Sequence, residues 1–140
     1  MLRLLVKRHQ VEQGVRMRVL VVDDEEFVRD YLREVMTLFC WEVNSAKNGL
    51  DALRMLQNDH YDVVVTDGEM NEMSGPDLTR AIKEKYADIY VVGLSGSHLK
   101  EEFEAAGADA YIEKPIDLKE LRMAIEGCLI KKPLFTHQYK

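Results

Sequence analysis

The chain has no apolar run approaching the roughly 20 residues that a bilayer-spanning helix needs, and this excludes the single-pass membrane classes. Its first residues, MLRLLVKRHQ, are too short and too interrupted by charge to serve as a secretory signal. Cysteine is nearly absent. Cys40 and Cys128 are the only two in 140 residues, so a disulfide framework is excluded. Both fall in predicted helices among apolar neighbours and read as reduced core thiols of a cytoplasmic protein. Histidine is scarce as well, and His9, His60, His98 and His137 lack zinc-ligand spacing. A basic excess is missing too. The net charge of -6 argues against a nucleic-acid partner, which calls for a basic surface. No linker or low-complexity tract interrupts the chain.

A repeated switch of period fills the sequence instead. Short β-branched runs at 18–22, 42–46, 61–66, 89–94 and 110–113 alternate with longer segments whose apolar residues recur three and four apart. Phe27, Val28, Tyr31, Leu32, Val35, Met36 and Phe39 form the predicted core stripe of the first helix. Leu50, Leu53, Met55 and Leu56 mark the second helix. The third opens near Ser74 and Pro76 and runs to about Tyr86. The fourth covers about His98 to Ala106 and stops at Gly107, with Ser97 a candidate N-cap. The fifth opens at the N-cap candidate Asp117 and carries Leu118, Leu121, Ala124, Ile125 and Leu129. Strands alternating with helices predict an α/β fold, a doubly wound parallel sheet of five strands. VLVV, VVVT and VVGL suit doubly covered central strands, whereas the polar EVNSA suits an edge. One domain over 17–130 accounts for this pattern. Residues 1–16 read as a frayed or appended extension, or as a basic docking arm, and 131–140 as a tail or linker stub.

Chemistry gathers at the strand exits. Asp23 and Asp24 follow the first run, Asp67 the third, Ser95 the fourth and Lys114 the fifth. In a parallel sheet all five meet at one edge, where such folds bind ligands. Two carboxylates about 4 Å apart repel by roughly 4 kcal/mol at an effective dielectric near 20, so three together call for a cation or must protonate. A hard ion with oxygen ligands is the natural partner, and Mg²⁺ fits best because it also grips phosphoryl oxygens. One carboxylate can then act as nucleophile and become an aspartyl phosphate. Lys114 would neutralise the transferring group and Ser95 would donate a hydrogen bond to it. Glu25 and Glu26 read as first-turn acids of the helix that follows.

VLVVDDE, VVVTDGEM with SG beyond it, GLSG, YIEKP and AKNGLDAL together resemble the response-regulator receiver domain of two-component signalling, the CheY-like superfamily, over about residues 17 to 130. That resemblance implies a flavodoxin-like (βα)5 fold of strand order 2-1-3-4-5. It implies that Asp67 accepts a phosphoryl group from the phosphohistidine of a sensor histidine kinase or histidine phosphotransfer protein. Asp24 would hold Mg²⁺ directly, Asp23 directly or through water, and Asp67 and the backbone carbonyl of Glu69 would be further ligands. Ser95 and Tyr111 would be the switch residues, and Lys114–Pro115 a cis peptide bond. Output would pass to a protein target, with a phosphorylation-dependent dimer as one form, through the face made by the fourth helix, fifth strand and fifth helix. The chain would be no enzyme beyond its own phosphorylation and dephosphorylation. Two positions depart from the family's pattern. Asn71 stands where proline is usual, and Gly68 where a larger apolar residue is usual, both favouring a freer loop. Glu69 places a charge beside the pocket and is expected to set the phosphate lifetime.

Other readings compete. A Mg²⁺-dependent phosphatase with an aspartyl-phosphate intermediate would use an Asp-x-Asp pair, but here the second acid is Glu69 and no cap domain accompanies the five units. A constitutive, degenerate receiver would not need Asp24, Asp67, Ser95 and Lys114 intact. A flavin-binding protein would carry a phosphate-cradling loop where the acids stand. The length leaves no room for an output domain, so the chain is expected to be either a stand-alone receiver or one cut from a longer regulator.

Overall fold

The computed structural model describes residues 16–131, and the readings of residues 1–15 and 132–140 as extension and tail lie outside them. Five parallel strands form one sheet: β1 (Arg18–Val22), β2 (Glu42–Ala46), β3 (Val63–Asp67), β4 (Tyr90–Ser95) and β5 (Ala110–Glu113). Their order is β2-β1-β3-β4-β5. The doubly wound α/β fold expected from the alternation is the observed one, and the polar EVNSA strand lies at an edge. β3 and β4 each end one residue later than the apolar runs suggest, because Asp67 and Ser95 still pair in register with β4 and β5. The two polar residues are therefore held by the sheet itself.

The helices are α1 (Glu26–Leu38), α2 (Gly49–Asn58), α3 (Gly75–Lys85), α4 (Lys100–Ala106) and α5 (Leu118–Lys131). Period-2 alternation sends Val19, Val21, Val63, Val65, Val92 and Leu94 to one face, where they meet Leu32 and Met36 of α1 and Leu121, Ile125 and Leu129 of α5. Leu20, Val22, Val64 and Val91 face the other way, onto Ala52 and Leu56 of α2 and Leu78 and Ile82 of α3. Both faces are thus covered, which is why the central strands are continuously apolar. Caps set the helix starts. The Asn48 side chain accepts from the Asp51 N–H, Ser74 from Asp77, and Asp117 from Lys119 and Glu120. Gly107 closes α4 in the left-handed conformation that glycine adopts without strain.

Three expectations need correction. Phe27 and Tyr31 were expected in the core of α1, yet Phe27 is 82% exposed and Tyr31 45%. Val28, Leu32 and Met36 recur every four residues and take the sheet contact, so the apolar arc of α1 is wider than the sheet can cover. Cys40 is not a core thiol. It is exposed and stands beyond α1 at φ 67°, in the turn that carries the chain toward buried Trp41. Cys128 does lie in the core. Ser97 is not an N-cap either. A 3-10 turn over Ser97–Leu99 precedes α4, and its capping position is Gly96, without a side-chain hydrogen bond.

Gly75 joins fold to site. Its N–H donates to the Gly68 carbonyl at 2.9 Å. A Cβ at position 75 would stand 2.3 Å from the Asp67 backbone oxygen and 2.6 Å from Cζ of Phe103. Backbone cannot yield as a flexible side chain can, so overpacking here is costly. Gly75→Ala is expected to destabilise the protein by about 1–3 kcal/mol, read as a lowered thermal midpoint by circular dichroism. An unchanged midpoint would show that the β3–α3 loop relaxes freely.

Candidate functional site

The order β2-β1-β3 means that the chain leaves β1 to one side and returns on the other. The carboxyl ends of β1 and β3 therefore flank a crevice that no crossover closes. Asp23 follows β1 directly and is 2% exposed, whereas Asp24 is exposed. Asp67 ends β3 and is 7% exposed. Ser95 ends β4 and is buried, and Lys114 follows β5.

Of the sequence-predicted groups, Asp67 and Lys114 meet directly: Lys114 Nζ donates to Asp67 Oδ1 at 2.8 Å. The Lys114–Pro115 peptide is cis, as the resemblance implied. Burial alone would lower the Lys114 pKa, but the hydrogen bond and charge of Asp67, with Asp23 and Glu25 nearby, raise it above the ordinary value. The ammonium is thus held charged. Asp23 experiences the opposite balance. Burial, together with the charges of Asp67 and Asp24, pushes its carboxyl up to about 6, against the backbone N–H of Glu25 and the charge of Lys114. Its Oδ1 accepts from that Glu25 N–H at 2.9 Å, and Arg29 holds its carbonyl at 2.8 Å.

Asp23, Asp24 and Glu25 each offer a carboxylate oxygen, and these atoms lie within 4.8 Å of one another. Asp67 is not one of the three. An all-oxygen donor set around a buried carboxylate whose charge burial disfavours fits a hard divalent cation. Glu25 was read as a first-turn acid only. It occupies the N-cap position of α1, with extended backbone (φ -96°, ψ 117°) and no side-chain capping bond, which leaves its carboxylate with the aspartates. Its place directly before the first helical residue was the available signal.

Around this centre, Tyr111 is half-buried, and its hydroxyl donates to the carbonyl of Gly96, next to Ser95. Its ring stands 5.6 Å from that of Phe103 on α4. The Lys114 N–H donates to the Ser95 carbonyl at 2.9 Å. Exposed Glu69, two residues past Asp67, faces His98 from the connection after β4, at 3.1 Å. The sequence reading did not include this contact. Only the loop geometry creates it.

Comparison with known proteins identifies the family and the fold. A family profile described as the response regulator receiver domain matches residues 19–126. The response regulator MprA of Mycobacterium avium is 35% identical over 116 residues, which are 81% of this chain and 51% of that protein. The sensor histidine kinase RcsC of Escherichia coli is 30% identical over 112 residues, 78% of this chain but 12% of the kinase. The chain thus spans about half the length, or less, of these curated relatives. Among solved structures, a response regulator receiver domain protein from Clostridium thermocellum superposes with TM-score 0.80 at 29% identity, covering 86% of this chain and 99% of that one. The response regulator TrrA of Thermotoga maritima, solved in complex with Mg²⁺ and BeF, gives TM-score 0.76 at 32% identity and covers 81% and 99%.

Proposed function

Because this chain belongs to the response regulator receiver domain family of two-component signalling, we propose that Asp67 is its phosphoacceptor and that phosphorylation there switches a protein-binding surface. One observation carries the reading: the carboxylate that ends β3 is buried and held at 2.8 Å by the ammonium that follows β5. Lys114 occupies Oδ1 of Asp67, so Oδ2 is the oxygen left to attack. In the transfer, Asp67 Oδ2 bonds to phosphorus while the phosphorus–nitrogen bond of a phosphohistidine breaks. The electron pair departs with the imidazole. Lys114 neutralises charge on the transferring oxygens, and the Ser95 hydroxyl donates to one of them. Asp23 and Asp24, with the backbone carbonyl of Glu69, would hold Mg²⁺, which supplies positive charge to the same oxygens. Glu25 joins that donor set by its position.

The donor is a histidine kinase or a histidine phosphotransfer protein, a reading supported by relatives that are themselves a response regulator and a sensor kinase. The route outward runs through the connection after β4. A pull on Ser95 reaches Gly96, the acceptor of the Tyr111 hydroxyl, and the ring of Tyr111 leans on Phe103 of α4. The face formed by α4, β5 and α5 is thereby the output surface for a protein target, by simple docking or by a phosphorylation-dependent dimer. No described helix is long and apolar enough to cross a membrane, in keeping with action in the cytoplasm. The test is incubation with acetyl phosphate and Mg²⁺, followed by intact-mass measurement. The expected result is a gain of a single phosphoryl group that hydroxylamine removes, as it does from an acyl phosphate. A chain left unmodified, under conditions that modify another receiver, would overturn the proposal.

A further inference from the structure

The sequence of α4, KEEFEAA, gives this seven-residue helix one large apolar side chain. Only Phe103 and Ala106 of α4 are buried, so a single aromatic ring fastens it to the body of the fold. That ring lies in a slot between two glycines. A Cβ at Gly93 would meet its Cδ1 at 2.6 Å and its Cε1 and Cγ at 2.7 Å, and a Cβ at Gly75 would stand 2.6 Å from its Cζ. Gly93 interrupts the apolar run of β4, where a glycine marks a close approach. Gly75 belongs to the acceptor side. A Cβ there would come within 2.3 Å of the Asp67 backbone oxygen and 2.8 Å of the Gly68 Cα, and its N–H donates to the Gly68 carbonyl at 2.9 Å. Buried Thr79 donates to the Gly75 carbonyl at 2.9 Å and so ties it to the first turn of α3.

We infer that Phe103 positions α4: its ring, keyed between Gly93 and Gly75, ties the helix to the backbone at Asp67 and carries a change there to α4 by a path that uses neither Ser95 nor Tyr111. The inference rests on the phosphoacceptor reading of Asp67 and assigns how that site reaches one helix. Backbone bounds the ring at both glycines and cannot give as a flexible side chain can. A shift of the Asp67–Gly75 backbone therefore either takes the ring along, and α4 with it, or expels the ring from its slot. A helix this short draws its stability from packing rather than from its own turns, so α4 follows its one aromatic anchor. The Tyr111 ring stands 5.6 Å from the same Phe103 ring, which makes Phe103 the point where the two paths converge. Phe103 touches no reacting atom; it is a positioning residue.

The experiment uses the full chain, isotope-labelled, with Mg²⁺ and beryllofluoride as the stand-in for a phosphoryl group, and follows backbone amide shifts by nuclear magnetic resonance. In wild type the amides of Gly68 and of residues 100–106 are expected to move. Phe103→Leu stays apolar but cannot reach both glycines. It should keep the Gly68 shift and lose that of α4. Gly93→Ala drives the ring out from the strand side, leaves the acceptor loop and α4 unaltered in sequence, and should give the same loss. Tyr111→Phe, which removes the hydroxyl that donates to Gly96, should retain the α4 shift. A Phe103 that merely stabilised the fold would lower the melting midpoint on replacement and leave the α4 response in place. An α4 shift that persists in Phe103→Leu, or in Gly93→Ala should Phe103→Leu not fold, overturns the inference, as does its complete loss in Tyr111→Phe. Wild type whose Gly68 amide ignores beryllofluoride fails at the earlier step, and the acceptor reading falls together with the inference.

Discussion

Asp67→Asn is expected to take up no phosphoryl group from acetyl phosphate and Mg²⁺, its intact mass staying that of the unmodified chain. This is the largest expected effect of any single substitution, because it replaces a carboxylate nucleophile with an amide that does not attack phosphorus. The substitution is close to isosteric. The amide oxygen can still accept from Lys114 Nζ where Asp67 Oδ1 does at 2.8 Å. It also removes a negative charge that opposes ionisation of Asp23, so the site relaxes electrostatically as it loses its reactivity. The far-ultraviolet circular dichroism is accordingly expected to match wild type, which separates lost chemistry from lost fold. Because Asp23, Asp24 and Glu25 carry their own cluster without Asp67, Mg²⁺ binding should weaken rather than vanish in this variant. A full phosphoryl gain by Asp67→Asn would place the acceptor elsewhere.

Asp23→Asn is expected to make the metal-free protein more stable and at the same time to impair Mg²⁺ binding. Burial first, then the neighbouring carboxylates Asp67 and Asp24, push the Asp23 carboxyl up to about 6, against an ordinary value near 4. A raised folded-state value means that the native protein binds this proton more tightly than the unfolded chain does. The resulting stability is fully present below about pH 4, is lost as pH rises through about 6, and stands as a constant cost above that. Two units correspond to about 3 kcal/mol at most. Asn retains the oxygen that accepts from the Glu25 N–H, so little is lost in exchange. In chelator at pH 8 the melting midpoint should rise by about 5–10 °C, and near pH 4 the gain should disappear. Mg²⁺ should narrow the difference by stabilising wild type alone, since a ligand that binds only the native state stabilises it by mass action. A variant no more stable at pH 8, or equally more stable at pH 4, would refute the electrostatic account.

Much of this was legible in the chain. Alternation of β-branched runs with helical periodicity specified the five strands and five helices, and the edge position of EVNSA followed from its polarity. The residues at the strand exits were legible too, because a parallel sheet sends every exit to one side and leaves little freedom about which side chains meet. Errors fell where a helix is amphipathic over too wide an arc. Phe27 and Tyr31 share the apolar character of Leu32 and Met36, and only the position of the sheet separates exposed from buried. Cys40 was misread because a helix end is ambiguous by a residue or two, and those residues decide whether a side chain meets the core or the solvent.

By itself the sequence determined the fold class, which polar groups stand at the strand exits and the charge conflict at the mouth of β1, since each follows from residue type and period alone. Tertiary structure decided what the site does with those groups. Four acids in a row at Asp23–Glu26 are equivalent on paper. In the fold Asp23 is buried and reluctant to ionise, Asp24 and Glu25 stand beside it in solvent, and Glu26 enters the helix. Likewise Glu69 and His98 are 29 residues apart and become partners only because β3 and β4 are adjacent and in register. Burial and through-space distance are properties of the packed chain, and both the carboxyl held near 6 and the contact between Glu69 and His98 arise from them.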